Sequence, residues 1–328
     1  MTGTNTTRIA DRVISRCRQI AACTDIPGET TRIFLSPPMR RVHALLREWM
    51  EAAGMTVRVD AAGNLRGLRP GPSSQSPHLL IGSHLDTVPN AGAFDGILGV
   101  VLGLTIVEEL RGQHLPFAIE VIGFSEEEGV RFNKPFLGSL ALIGKLDNDA
   151  LARTDRNGVS VAEAIRIFGL NPSELPAATM TTEAFAYLEI HIEQGPLLES
   201  KDASLGIVDA LAGQTRMSLI FDGHANHAGT TPMHLRRDAM AAAAAWIVSV
   251  EEYANAHDGL VATVGRVETI SGAGNVIAGQ VKASLDVRHA NDHTRNIAVA
   301  ALMTSAKIAA AKRGVQLTTH TQLEQPAV

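Results

Sequence analysis

The secondary-structure pattern of the chain changes once, near residue 213, and this change constrains the fold more than any other feature. Before it, segments with helical apolar spacing alternate with short apolar runs that are typical of buried strands. The helical segments are 7–23, 39–53 and 97–111, and the apolar runs are 55–59, 78–82 and 117–124. Such alternation predicts an α/β domain whose sheet is covered by helices.

After residue 213 the predicted order is strand, helix, strand, strand, helix, strand. The segments are 216–223, 236–253, 260–269, 280–289, 292–313 and 315–320, with the glycine-rich turn SGAGN between the two middle strands and Asp292 as the expected N-cap of the second helix. A β-α-β-β-α-β order is typical of the ferredoxin-like unit. We therefore expect two domains, over residues 1–213 and 214–325.

Charge and composition exclude several classes of function. The 328 residues carry 29 basic and 34 acidic side chains, a net charge of −5, so no basic surplus favours nucleic acid or an anionic membrane. No apolar run is long enough to span a bilayer, and the first 20 residues lack the layout of a signal peptide. The two cysteines, Cys17 and Cys23, share one predicted helix and indicate neither a disulfide framework nor a zinc knuckle. We expect a cytoplasmic globular protein.

The first candidate cluster lies in GSHLDTVPNAGAFDG, residues 82–96, at the end of a predicted buried strand. His84 offers an imidazole nitrogen at the edge of the sheet where α/β proteins bind ligands. Asp86 lies on the same side of an extended chain and could hold the other ring nitrogen, while Asp95 follows just before a helix. The alternative is an ordinary strand-end histidine and a helix N-cap.

The second cluster, GFSEEEGVRF, places Glu126, Glu127 and Glu128 at the end of another buried strand. Adjacent carboxylates repel one another unless a cation or a raised pKa relieves them. A metal site would explain them, with one glutamate as ligand and a neighbour as the general base for water. The alternative is an exposed loop that solvates all three.

The third cluster, YLEIHIEQGPLLE, places His191 in a predicted strand over residues 186–192, with Gln194 just beyond it. A single histidine there is also compatible with a satisfied core position. Together, two imidazoles and several carboxylates form a nitrogen–oxygen ligand set that suits zinc or a neighbouring divalent ion.

In the second domain, His227, Asn275 and Arg288 lie in the motifs GHANHAGTTPM, GAGNVI and SLDVRH. His227 and Asn275 could polarise or hydrogen-bond a substrate, and Arg288 could bind a carboxylate with its planar guanidinium group. The alternatives are a loop histidine, a turn asparagine and a locally paired surface arginine.

Taken in their order along the chain, these motifs resemble the amidase branch of the M20 metallopeptidase clan. That branch, the hydantoinase/carbamoylase family, contains N-carbamoyl-L-amino-acid hydrolases and allantoate amidohydrolases. The motifs HIEQG and HAGTTPM separate it from the aminoacylases and dipeptidases of the clan, which are the alternative within the clan. The resemblance implies an exopeptidase-like catalytic domain with a mixed sheet and an inserted ferredoxin-like lid and dimerisation domain.

The resemblance also implies a site for two divalent metal ions, Zn²⁺ or Mn²⁺, with Co²⁺ and Ni²⁺ as alternatives. The implied metal ligands are His84, Asp95, Glu128 and His191, with Asp95 bridging the two ions. Glu127 would be the general base, and Asp86 would orient His84. His227 would be a further catalytic residue, which stabilises the oxyanion from the partner subunit of a homodimer. The implied substrate-binding residues are Gln194, Asn275 and Arg288, which would receive the carboxylate.

The implied reaction is hydrolysis of a ureido or carbamoyl C–N bond in an N-carbamoyl-L-amino acid or an allantoate-like substrate. Members of the family continue from the lid into a C-terminal segment whose histidine completes the second metal site. This sequence ends with TQLEQPAV, where that segment should begin. We therefore expect a truncated chain with an incomplete second site, and the alternative to an enzyme is an inactive or single-metal homologue that acts only as a lid-mediated dimer.

Overall fold

The computed structural model describes residues 3–270 and 272–328, which form two compact units. The first unit extends to Lys201 and the second begins at Asp202, earlier than the predicted change near residue 213. The earlier boundary has a local cause, because Leu211 and Val328 exchange two backbone hydrogen bonds of 2.7 and 3.0 Å, and so hold the segment before residue 213 to the second unit. No helix in the described part of the chain is long and apolar enough to cross a membrane.

The first unit contains a five-stranded mixed sheet in the order β1-β2-β4-β3-β5. Its strands are β1 (Thr56–Val59), β2 (Leu65–Arg69), β3 (His78–His84), β4 (Ala118–Phe124) and β5 (Ala184–Leu188). Its helices are α1 (Gly3–Ala21), α2 (Pro37–Ala52), α3 (Ile97–Glu109), α4 (Leu137–Leu142), α5 (Asn148–Ala152), α6 (Val161–Ile167), α7 (Leu175–Ala178) and α8 (Leu197–Ser200). Strands β4, β3 and β5 run parallel, and β1 and β2 complete the sheet in antiparallel pairing.

Parallel pairing of β3 with β4 and β5 brings their carboxyl ends to one edge of the sheet, and this determines where the site forms. All seven residues of β4 are buried, as are the last five of β3, which is the pattern of a central strand. Helix α3 packs closely on β3, since a Cβ atom at Gly103 would lie 2.9 Å from the Ile81 side chain. The core of this unit is aliphatic and positions the strand ends rigidly.

The elements of the second unit are β6 (Gly213–Asp222), β7 (Asn226–His227), α9 (Ala239–Asn255), β8 (Val261–Thr263), β9 (Val267–Ile270), β10 (Val276–Ile277), β11 (Gln280–His289), α10 (Asp292–Ala311) and β12 (Gln316–Gln325). The main sheet and the two helices of this unit follow the predicted β-α-β-β-α-β order when β8 and β9 are counted as one strand, and a separate two-stranded ladder is added to them. The main sheet has the order β12-β6-β11, and β8 and β9 follow one another along the other edge of β11, with β8 paired to residues 286–288 and β9 to residues 280–283. A second core that contains Trp246, Phe221 and Leu302 lies between this sheet and the two helices.

Two details of the second unit correct the sequence predictions. The strand predicted over 260–269 is divided into β8 and β9, because the Arg266 N–H donates to the Ser284 hydroxyl oxygen at 3.0 Å and interrupts the ladder. The N-cap of α10 is Asn291, whose side chain accepts a hydrogen bond from the Thr294 N–H at 3.0 Å. Asp292, the predicted cap, instead accepts from the backbone N–H of Ala327.

Candidate active site

The site is organised around the Asp95 carboxylate, which faces two imidazoles. His84 is the last residue of β3, and His191 follows β5, the neighbouring parallel strand. The Nε2 atoms of His84 and His191 lie 3.7 and 3.4 Å from Asp95 Oδ1 and 3.3 Å from each other. The strand predicted over 186–192 ends at Leu188, so His191 lies in the segment beyond the strand and not within it.

Hydrogen bonds to the backbone set the tautomers of both rings. His84 Nδ1 lies 2.8 Å from the backbone oxygen of Asp86, and His191 Nδ1 lies 2.9 Å from that of Ile192. A carbonyl oxygen only accepts, so each Nδ1 carries a proton and each neutral ring presents the lone pair of its Nε2 toward Asp95. Two nitrogen lone pairs and a carboxylate oxygen that converge in this way match the ligand preference of a divalent transition-metal ion.

The carboxylate of Asp86 joins the second cluster to the first. It is fully buried and accepts hydrogen bonds from the backbone N–H groups of Glu127 and Glu128, at 2.9 and 3.1 Å. The Asp86 carboxylate was expected to hold His84, but its Oδ1 lies 3.7 Å from Nδ1, and the Asp86 backbone oxygen is the closer partner. Asp86 therefore fixes the imidazole with its main chain and the glutamate loop with its side chain.

The three adjacent glutamates have different surroundings. Glu126 is buried, and its carboxylate oxygens have no hydrogen-bond partner among the described residues, which does not fit an exposed, solvated loop. Glu127 and Glu128 are partly buried, and each offers a carboxylate oxygen within 4.8 Å of a ring nitrogen of His84. Burial raises the pKa of Glu127 to about 7, against the opposing effect of His84. Burial also raises the pKa of Glu128.

Gln194 lies beside the Asp95 carboxylate, and so next to the candidate metal ligands His84, Asp95 and His191. Its Nε2 donates to both oxygens of Asp95, each at 3.0 Å. Its backbone has a φ of +57°, a left-handed conformation that is unusual for a residue with a side chain.

Asn64 supports the glutamate loop and was not recognised from the sequence. It lies in the turn between β1 and β2, where its fully buried side-chain oxygen accepts from the Ser125 N–H at 3.1 Å. Its Nδ2 donates to Asp60 and to the backbone oxygen of Gly138. Since Ser125 directly precedes the three glutamates, Asn64 anchors them from the opposite side to Asp86. The only signal in the sequence was the pair Gly63–Asn64, which is typical of turns. Such pairs are common in turns that take no part in a functional site.

In the second unit, His227 lies in β7 of the two-stranded β7–β10 ladder, and Asn275 directly precedes β10. The Ala228 N–H donates to the Asn275 backbone oxygen at 2.9 Å. His227 Nδ1 accepts from the Gly229 N–H at 3.0 Å, so the proton of the neutral ring is on Nε2. Both side chains are exposed.

Arg288 lies on the open face of the main sheet in the second unit. It donates from Nε and Nη2 to Asp286, at 3.0 and 3.2 Å. Asp286 also accepts from Arg216 and Gln214, and these hydrogen bonds lower its pKa although partial burial opposes them.

A mixed sheet whose parallel strand ends gather two histidines, an aspartate and two glutamates defines the protein as a hydrolase of the metallopeptidase type. The model of peptidase family M20/M25/M40 matches residues 80–322, and the chain belongs to this family. Members of the family generally depend on two metal ions, and the grouped side chains of this site are suited to hold metal.

The chain is similar to amidohydrolases, deiminases and amidases of known name. The chain is 41% identical to the N-carbamoyl-L-amino acid amidohydrolase of Geobacillus stearothermophilus, over 92% of this chain and 74% of that protein. It is 37% identical to the probable allantoate deiminase of Oryza sativa subsp. japonica, over 89% of this chain and 64% of the relative. Among solved structures it resembles a hydantoinase/carbamoylase family amidase from Burkholderia ambifaria, with a TM-score of 0.86 and 36% identity over 97% of this chain and 78% of that one. The chain thus spans about two thirds to three quarters of these relatives.

The raised pKa of Glu127 predicts a pH-dependent stability for the metal-free protein. An acid with a higher pKa in the folded than in the unfolded chain favours folding while it is protonated, so its contribution is lost as the pH rises from 4.5 to about 7. We expect Glu127→Gln, which cannot ionise, to flatten the decline in the free energy of unfolding over this range. The measurement is urea unfolding in excess chelator at several pH values.

The matched control for that series is Glu199→Gln, at an exposed position outside the site. It should retain the wild-type pH dependence. Equal slopes for wild type and Glu127→Gln would contradict the assignment of a raised pKa to Glu127.

Proposed function

We propose that this chain is a metal-dependent amidohydrolase that cleaves a ureido or carbamoyl C–N bond in a substrate that also carries a carboxylate. N-carbamoyl-L-amino acids and allantoate are the substrate classes that the names of its relatives indicate. The observation that carries the proposal is the convergence of His84, His191 and Asp95 beside Glu127.

His84, His191 and Asp95 would hold one divalent ion, and Glu128 would contribute to a second site that is incomplete in these residues, with Zn²⁺ and Mn²⁺ as the expected metals. Bound there, the ions would supply Lewis acidity toward the carbonyl and lower the pKa of water. The protein prepares for them by directing the Nε2 lone pairs of both histidines toward Asp95. Without an ion, Asp95 and Asp86 raise the pKa of His84 to about 9, against the lowering effect of burial, so metal uptake should release a proton.

Glu127 would act as the general base and then as the general acid. Its carboxylate takes a proton from the attacking water and passes that proton to the leaving nitrogen. A pKa near 7 suits both transfers, because the group exchanges its proton readily at neutral pH. Asp86 holds the Glu127 main chain in place during both transfers.

His227 would stabilise the developing oxyanion with its Nε2–H group. Its tautomer fits this role, because the Gly229 N–H occupies Nδ1 and leaves the proton on Nε2. Asn275 directly precedes β10, the strand that pairs with β7, so a chain that supplies His227 to an active site would bring Asn275 with it. If a second copy of the chain supplies His227, as we expect for a homodimer formed through the second unit, it also supplies Asn275.

Arg288, with Gln194 and Asn275, would bind the substrate carboxylate. Asp286 occupies the Nε edge of the guanidinium group, which leaves Nη1 and the remaining N–H of Nη2 for a ligand. The second unit, over residues 214–325, would then be a lid and dimerisation domain over the catalytic domain. The expectation of a cytoplasmic location rests on the sequence alone and stays a prediction.

The central test compares two adjacent glutamates. With Zn²⁺ or Mn²⁺ supplied, we expect the wild type to hydrolyse an N-carbamoyl-L-amino acid much faster than its N-acetyl counterpart. Glu127→Gln should lower turnover by a factor of about 100 or more while metal content is retained, because it removes a proton acceptor and not a ligand. Glu128→Gln should lower metal content.

Metal analysis and ammonia release measure these effects. A wild-type chain that stays inert with either metal would contradict the enzymatic proposal and favour the non-catalytic dimer. Preference for the N-acetyl substrate would instead indicate an aminoacylase or dipeptidase.

Arg288 allows a separate test of substrate recognition. We expect Arg288→Gln to raise KM by roughly 30-fold, equivalent to about 2 kcal/mol, because a charged partner of the carboxylate is lost. Arg266→Gln, at an exposed arginine of the same unit, should leave KM unchanged. Steady-state kinetics give the answer, and an unaltered KM for Arg288→Gln would exclude its role in carboxylate binding.

A further inference from the structure

The segment that follows His227 closes tightly on that residue. The backbone oxygen of His227 accepts from the N–H and the Oγ1 of Thr231, at 3.2 and 2.8 Å. The Gly229 N–H donates to the ring at Nδ1. We call residues 227–231 the histidine loop. Its own contacts define where the ring lies and which nitrogen carries the proton.

Arg236 lies outside the histidine loop but donates hydrogen bonds to two backbone oxygens within it. This partly buried side chain donates from Nε to the Thr231 backbone oxygen at 3.0 Å and from Nη2 to the Ala228 backbone oxygen at 2.6 Å. Hydrogen bonds from a guanidinium group are stronger than those between neutral partners. Arg236 therefore links Ala228, near the start of the loop, to Thr231 at its end.

The next residue, Arg237, has the same charge but does not contact the histidine loop. Among the described residues its side chain makes no hydrogen bond or ion pair, and it lies near Gly314 after α10. The two arginines thus differ in what they touch and not in charge, which makes Arg237 a matched control.

We propose that Arg236 is the positioning residue for His227. This inference rests on the proposed function, in which His227 donates from Nε2 to the oxyanion. Such a donor is effective when it is already aimed at the developing charge, because no reorganisation is then needed during the reaction. By joining Ala228 to Thr231, Arg236 holds the loop in the conformation that directs the Gly229 N–H at Nδ1.

Arg236 could instead bind the substrate carboxylate directly, and the two roles have different kinetic consequences. A carboxylate ligand acts mainly on KM, whereas a residue that aims the oxyanion donor acts on kcat. Two of its donor groups are already committed to backbone oxygens, which favours the positioning role.

The test compares Arg236→Gln with Arg237→Gln, which remove the same charge. With an N-carbamoyl-L-amino acid as substrate, we expect Arg236→Gln to lower kcat by roughly 10- to 100-fold at a nearly constant KM, less than the loss of an oxyanion donor itself. Arg237→Gln should retain wild-type kinetics. In a His227→Ala background, Arg236→Gln should cause no further loss, because the residue that it positions is absent.

Several results would overturn the proposal. These are equal kinetics for the two glutamine variants, a loss confined to KM, or an undiminished kcat effect of Arg236→Gln in the His227→Ala background. If Arg236→Gln does not fold, Arg236→Lys replaces it. Lysine keeps the charge but lacks the planar guanidinium group that donates to both the Ala228 and the Thr231 backbone oxygens, so it should lower kcat at a nearly constant KM, and an unchanged kcat would overturn the proposal.

A spectroscopic measurement separates this inference from the proposed function. In ¹⁵N-histidine-labelled protein, NMR should show His227 protonated at Nε2, and Arg236→Gln should introduce the other tautomer whereas Arg237→Gln should not. An inert wild type with this NMR result would contradict the proposed function and leave the positioning supported. An active wild type whose His227 tautomer is unaffected by Arg236→Gln would contradict the positioning alone.

Discussion

The geometry of the first unit's site depends on one buried carboxylate, that of Asp86. Its side chain accepts the N–H groups of Glu127 and Glu128, and its backbone oxygen accepts the Nδ1–H of His84. One residue thereby links the ends of two parallel strands. Beside it, the buried guanidinium of Arg32 donates to the backbone oxygen of Leu85 at 2.8 Å and provides a nearby positive charge. Replacing the Asp86 side chain would leave two backbone N–H groups unpaired and release the glutamate loop, whereas the backbone oxygen at this position would still accept from His84.

The three histidines of the candidate machinery differ in the nitrogen that carries the proton. His84 and His191 direct Nδ1 at backbone oxygens, which leaves Nε2 as an electron-pair donor. His227 has the opposite arrangement, because a backbone N–H occupies its Nδ1 and leaves Nε2–H as a hydrogen-bond donor. The backbone around each ring thus separates the role of ligand from the role of oxyanion stabiliser, although the side chains are chemically identical.

The strands predicted correctly from the sequence were those with a distinctive run of apolar residues. The buried runs that end at His84 and before the three glutamates were recognisable because central parallel strands are continuously apolar. Strand β2 was not predicted, since it carries arginines. Arg66 is buried there because it pairs with Glu120 on the adjacent strand at 2.6 Å and donates to the Ala178 backbone oxygen at 3.0 Å. Asn64 and Arg236 were not recognised from the sequence either. Their importance lies in contacts with segments distant in the chain or with backbone oxygens, which no local pattern records.

The central claim is that His84, His191 and Asp95 form a metal site at the ends of parallel strands. Anomalous diffraction at the zinc edge, from crystals of the zinc-loaded protein, tests it most directly. We predict an anomalous peak about 2.0–2.2 Å from Nε2 of both histidines and from a carboxylate oxygen of Asp95. A zinc-saturated crystal with no peak among these three side chains would contradict the account.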